Sequence, residues 1–541
     1  VKRPREYKTV EELYINGYHL EQYKQHNYKP EDYYLEGLKR DGGDIRCNTS
    51  MARLSLKNGK FKDCVKYCDK AIERLTSRNM HPTDTEALYL KGVALEYLGE
   101  YDKAYDVLYM AAWNYAHRSA AMYELACIDC RNGDYDSALQ KLDESLGLNK
   151  GHTKAENLKS AVLRKLGSPL AQSSALEGVN DDKLDVLALV EYSHYENVTD
   201  KIAQFAKKAE NMLDTARDYM KAGFNDDAVY ALGFADKASP LVNYYLAYLT
   251  GKDEYIRSAE KLDTGYCFPS ELSDIAVLEY AANKDKNAAN ARYYLGNLFY
   301  DKFSYDEAAQ LWNECVRIDE KHGKAWRNLS LYYFDKAYMP DKALECMQKA
   351  LKYRPEDPRL LLEYEQLLKN SGHSIDERLE VYDKYPELLS RRDDCYLDKL
   401  TLLSQKGMYK EAIDMAKSKH FHIYEGGEGK LTKQHAWMHV LYANELVKDG
   451  KLDEARKIYN DGINMPKSYG EAKTFFNQEA HIYYYLAKLE QRENNTEKYT
   501  ADLEKAAEYK AAVSEISLFR ALALKELGKN DEANAVLDEM Q

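Results

Sequence analysis

The sequence predicts an all-α protein, an α-α superhelix built as a solenoid of stacked helical hairpins, and three observations carry that prediction. Turn glycines recur with the same residue types behind them. Only 11 Pro and 27 Gly interrupt 541 residues, a composition that favours helix nearly everywhere. No apolar run approaches the length of a membrane span, and the mean hydropathy is −0.68.

The period is read first from the turns. Gly59-Lys-Phe61, Gly99-Glu-Tyr101, Gly133-Asp-Tyr135, Gly407-Met-Tyr409 and Gly450-Lys-Leu452 each place an aromatic or apolar residue two positions after a glycine. Gly99 to Gly133 is 34 residues, and Gly133 to Gly167 is 34 again. Three positions after the aromatic stands a small residue: Cys64, Ala104, Ala138, Ala308, Ala412, Ala455, Ala533. Four further on comes a mostly bulky column of Cys68, Leu108, Leu142, Trp312, Ala416, Tyr459 and Leu537. Three beyond that, small residues return at Ala71, Ala111, Ser145, Cys315, Ala350 and Ala506. A small residue on a second helix lets the first helix approach, the bulky one fills the gap, and the next small one seats the following hairpin.

These columns divide the chain. Residues 1–45, rich in Tyr, read as capping helices, and 46–167 as regular repeats. Residues 168–287 read as degenerate repeats, where SPLAQSSALEGVNDD and TGYCFPSELSD supply loops. Residues 288–390 hold full repeats, closed within NARYYLGNLFY…KALKYRP by Pro355, where a helix must end. Residues 391–541 continue the repeats with an insertion at 421–430, since Gly407 to Gly450 is 43 residues rather than 34.

Charge and cysteine usage narrow the function. The net charge is −13, with no basic stripe, which argues against nucleic acid as a partner. The nine scattered Cys read as reduced core thiols of a cytoplasmic protein. Cys127-Ile-Asp-Cys130 lies in a helix with no second ligand pair, and His435 and His439 lack the Glu of a metalloprotease motif. Neither a metal nor any other cofactor is expected. The chain starts at Val1 with no apolar leader, as expected of a piece cut from a longer protein.

The four columns resemble the tetratricopeptide repeat (TPR) over nearly the whole chain. That resemblance implies a right-handed superhelix whose concave groove binds proteins or peptides, and a scaffold rather than an enzyme. A narrower resemblance rests on LYINGYHLEQYK at 13–24, WRNLSLYY at 326–333, RRDDCYLDKLTLL at 391–403 and FHIYEGGEGK at 421–430. These are similar to the C-terminal repeat region of a bacterial family of large, uncharacterised proteins. In that family a β-rich domain, associated with carbohydrate through its similarity to aldose-epimerase-like β-sandwiches, precedes the repeats. The sequence departs at Ile423-Tyr424, where the family tends to carry Pro-Trp; Tyr still offers a stacking ring. The resemblance implies two further partners, a domain preceding Val1 and a carbohydrate.

The candidate ligand residues follow. His422, Tyr424, Glu425, Gly426, Gly427, Glu428, Gly429 and Lys430 lie in the insertion, where glycines expose backbone N–H groups and acids could accept from hydroxyls or amides. Against that stands a plain connector in which glycines only let the chain turn. Glu425 and Glu428 lack the burial that a glycosidase acid requires, and GGEGK lacks the spacing and the Ser or Thr of a phosphate loop. Arg327, Asn328, Glu363, Arg391 and Asp393, with Asp394 beside it, are polar residues inside helical units. They line the same groove or form ordinary inter-helix ion pairs. The doublets Tyr244-Tyr245, Tyr293-Tyr294 and Tyr332-Tyr333 are expected to turn one ring inward and one outward.

Overall fold

The computed structural model describes residues 2–23, 27–422, 424, 426–471, 479–509 and 512–541. Regular structure among them is helical, with no strand, and no described helix is long and apolar enough to cross a membrane. The chain divides into two compact units, Val1–Lys321 and His322–Gln541.

The hairpin Glu86–Tyr97 and Tyr101–Ala111 shows how the columns work in the first unit. Gly99 turns the chain at φ +75°, and Glu100 N donates to Leu95 O at 2.9 Å. An L-residue there would cost about 1–2 kcal/mol. The hairpin Ala289–Asp301 and Tyr305–Ile318 nevertheless turns on Phe303 at φ +60°.

Behind the turn, Ala104, Ala138, Ala308, Ala412 and Ala455 are fully buried, as are Leu108 and Leu142, with Trp312 and Tyr459 nearly so. A further small column, on the first helix seven residues before the turn, completes the fit. It holds Gly92, Ala126, Ser160 and Gly296 in the first unit and Ala443, Ala487 and Ala521 in the second. A Cβ on Gly296 would lie 2.5 Å from Trp312 Nε1, which donates to Asn297 Oδ1 at 3.1 Å. Gly296→Ala is therefore expected to cost about 1–3 kcal/mol by overpacking. A denaturation midpoint equal to the native one would refute that packing. One column position is corrected: in the last hairpin Val536 is buried and Leu537 is 37% exposed.

First helices of distant hairpins also touch within this unit. Arg131, ending Tyr115–Asn132, donates through Nε to Lys221 O at 2.9 Å and through Nη2 to Met220 O at 2.6 Å, on Ala209–Lys221. The Lys221 ammonium pairs with Glu124, and Lys154 with Asp218 at 2.7 Å. At Gly59 a Cβ would stand 2.8 Å from Ile275 Cδ1. In this unit these side chains of the first helices are spent on the chain itself.

The tyrosine expectation is corrected for the same reason. Tyr244 and Tyr245 are both fully buried, and Tyr293 and Tyr294 are both buried. Carboxylates inside the stack satisfy two of these hydroxyls: Tyr244 OH donates to Glu260 at 2.6 Å and Tyr245 OH to Asp274 at 2.6 Å. Buried Tyr rings survive where the O–H finds a partner. Tyr332 and Tyr333 are both half-buried. All nine Cys are free and buried, and burial pushes the Cys127 and Cys130 thiols up.

The second unit pairs Gly323–Asp335 with Pro340–Tyr353, Pro358–Asn370 with Ile375–Lys384, and Asp393–Gln405 with Tyr409–Lys417. Lys430–Lys448 then pairs with Leu452–Ile463, Ala480–Arg492 with Thr496–Ala507, and Ser517–Glu526 with Asn530–Met540. In Pro358–Asn370 the small position holds Glu365, fully buried, and Arg378 of the second helix reaches it. The inserted residues lie between Tyr409–Lys417 and Lys430–Lys448.

Candidate functional site

The insertion closes on its own unit. Phe421 is 4% exposed, and its N–H donates to Ser468 O at 2.9 Å. Its ring meets Tyr396 and Tyr469 edge-on, each at 5.7 Å. His422 N donates to Asp393 Oδ2 at 2.6 Å, while the imidazole stays exposed. Gly427 N donates to Tyr424 O at 2.9 Å, and a Cβ on Gly427 would run into the Tyr424 ring. Any larger residue there would have to push that ring aside. Gly426 and Gly429 take φ +76° and +74°, and Gly429 N donates to Glu471 Oε1 at 2.5 Å. Glu428 and Lys430 are exposed. Glu425 lies outside the described residues.

Asp393, His422, Tyr424 and Gly427 are thus brought together, with Phe421, Tyr469 and Glu471, around a cavity of about 20 Å³. That is space for roughly one water molecule. Asp393 also pairs with Lys419 at 2.9 Å. Its neighbour Asp394 binds Arg392 through two contacts, at 2.9 and 2.5 Å.

The remaining predicted residues are placed apart from this cleft. Arg327 grips Glu363 with Nε and Nη2, both at 2.6 Å, and Arg359 adds a third contact at 2.8 Å. A forked guanidinium–carboxylate pair of this kind locks neighbouring first helices together. Arg391 donates to Glu356 O at 2.8 Å, and Asn328 is half-buried on Gly323–Asp335. Among the described residues no group of three or more His, Cys, Asp or Glu side chains is arranged to hold a metal ion.

Sequence reasoning missed two features. Lys467–Tyr469 and Glu471 form the wall on which the insertion rests; Pro466 and Gly470, with φ +68° at Gly470, were the available turn signal. The second is an open groove of about 690 Å³ between Tyr409–Lys417 and Lys430–Lys448. Met408, Tyr409, Met415 and Tyr442 supply its apolar lining, and Glu411, Asp414 and Glu445 its charge. Its volume lies within the span of ordinary ligand clefts, roughly 300–1,000 Å³. Gly407-Met-Tyr409 had marked the turn there, but nothing in the repeat pattern marked an opening.

No protein-family model matches the chain. Individual relatives do. A TPR repeat-containing protein of Methanocaldococcus jannaschii is 22% identical over 362 residues, covering 65% of this chain and 59% of that protein. Hsp70-Hsp90 organizing protein 1 of Glycine max is 30% identical over 125 residues, 22% of this chain and 19% of that one. The tetratricopeptide repeat-containing protein trd-1 of Caenorhabditis elegans is 30% identical over 109 residues, 20% of this chain and 14% of that one. The chain therefore spans less than two thirds of each of these relatives. None of the comparisons shows the bacterial family with its β-rich domain. Among solved structures, Naa15/Naa10 bound to HypK-THB aligns over 98% of this chain and 88% of that one at 13% identity and a TM-score of 0.25. Yeast Tom70 aligns over 90% and 96%, at 15% identity and a TM-score of 0.24. With its recurring columns, its nested hairpins and relatives named for the same repeat, the chain is an all-helical TPR-like solenoid.

Proposed function

We propose that this chain is a protein-interaction scaffold that holds a partner segment in the open groove between Tyr409–Lys417 and Lys430–Lys448. The observation carrying this reading is a contrast of surfaces. The polar side chains that looked suited to a ligand are largely spent on one another, Arg327 on Glu363 and Asp393 on Lys419. The groove, by contrast, offers about 690 Å³ with an apolar lining. Contacts of an apolar cleft with a polar rim are what peptide and protein recognition uses. The relatives add support, since the one from Glycine max is named as an organizing protein of Hsp70 and Hsp90. The chain acts on this reading by binding, not by catalysis.

A sugar site at the insertion draws no support from its geometry, because the cleft beside Tyr424 measures about 20 Å³. Met408, 36% exposed at the groove, gives the test. Met408→Glu is expected to abolish capture of the partner that the native chain retains from cell extract, with circular dichroism and melting unchanged. Equal capture by both proteins would remove the groove from the mechanism.

A further inference from the structure

The groove carries a charge pattern as well as a shape. Glu411 and Asp414 stand three residues apart on the exposed side of Tyr409–Lys417, and Glu445 is exposed across from them on Lys430–Lys448. None of the three carboxylates has an ion-pair partner among the described residues. The lysines that flank this helix make their ion pairs elsewhere, Lys406 with Asp376 at 2.6 Å and Lys417 with Asp461 at 3.9 Å, although the Lys406 ammonium also feels the Glu411 carboxylate. Among the described residues that line the groove, Lys410 is the one cation beside three acids. Between the acids lie two thioethers and two phenol rings, from Met408, Met415, Tyr409 and Tyr442. Methionine adapts to irregular apolar side chains, and an apolar trough between acidic rims suits one face of a basic amphipathic helix.

We infer that the partner segment of this groove is an amphipathic helix with apolar side chains along one face and Lys or Arg beside them. Its apolar face lies on Met408, Met415 and Tyr442, and its cations meet Glu411, Asp414 and Glu445. The inference rests on the groove being the binding site, as proposed above, and adds the chemistry of what enters it. Because the rim pairs are solvent-exposed, binding weakens as salt is raised.

A short fluorescent leucine–lysine amphipathic peptide, with its leucine–glutamate counterpart, tests this by fluorescence anisotropy on the full chain. The basic peptide is expected to bind, and the Glu411→Gln, Asp414→Asn, Glu445→Gln variant to weaken it by about tenfold or more. Glu497→Gln, Asp531→Asn, Glu532→Gln, which neutralises three exposed acids elsewhere, should leave binding unchanged. Equal loss in both triple variants, which is a response to bulk charge alone, or no loss in either, which is no response to the groove's acids, overturns the inference. Binding of the acidic peptide that Met408→Glu abolishes overturns the charge assignment while leaving the groove as the site. Failure of both peptides overturns the inference, and the Met408→Glu capture experiment then judges the scaffold reading by itself.

Discussion

Replacing Arg378 with Met is expected to cost the second unit about 3–5 kcal/mol, the loss typical when one partner of a buried ion pair is removed. Glu365 is fully buried and Arg378 is 8% exposed. The guanidinium binds Glu365 Oε1 through Nε at 2.5 Å and through Nη2 as well. Burial, followed by the neighbouring Asp398 carboxylate, pushes Glu365 up to about 7, with Arg378 opposing both. Without the arginine, the carboxylate must take a proton or remain charged in the core. Chemical denaturation followed through Trp326 and Trp437 reads the loss directly. The double variant Glu365→Leu with Arg378→Met should recover most of it, because apolar residues of similar volume often replace such pairs at little cost. If the single variant loses less than about 1 kcal/mol, the pair does not hold this hairpin together.

Acid should weaken the same unit steeply. His435, His439 and His481 are at most 1% exposed. His435 Nδ1 accepts from Tyr469 OH at 3.0 Å and its Nε2 donates to Asp461 O at 3.1 Å. His439 Nδ1 donates to His435 O at 2.8 Å, and the His481 ring lies tilted against Trp437 with centroids 4.5 Å apart. Burial above all pulls these three down to about 3, 4 and 3. They are neutral when folded and charged when unfolded below pH 6.5, so their contribution is complete above pH 6.5 and is lost as the pH falls toward 4. Glu365, held high in the fold, takes up a proton there and works the other way. The net expectation is on the order of 2–3 kcal/mol lost per pH unit over that window. Urea midpoints at pH 7.5 and pH 5 measure it, and His481→Phe should flatten the slope by about one proton's worth. Equal native midpoints at the two pH values would sink the prediction.

What the sequence revealed and what it hid divide along the distance of the partners. The hairpins were legible because Ala104, Leu108 and Ala111 sit within a few residues of one another and make their contacts by helical geometry alone. The insertion was legible as extra length, and the close approach of Gly427 to the Tyr424 ring only once the ring was seen above it. The residues that receive it, Ser468 and Glu471, come from more than 40 positions later, where no repeat spacing points. Arg327 and Glu363 were recognised as polar residues a repeat apart, yet their mutual pairing removes the reason for reading them as ligand contacts. Tyr244 and Tyr245 were misread for the same cause. Their carboxylate partners sit on or at the end of other helices, so nothing local announces that both rings can be buried.

The grip of Arg131 on the carbonyls of Met220 and Lys221 changes how the first unit should come apart. A stack in which each repeat meets only its neighbours melts like a zipper, end first, with nearest-neighbour energies simply adding. Helices bridged across 89 and 90 residues of chain cannot be peeled away singly, because releasing one strips a partner from another. Amide exchange in Tyr115–Asn132 and Ala209–Lys221 should therefore report a single shared opening event, the mark of one cooperative block.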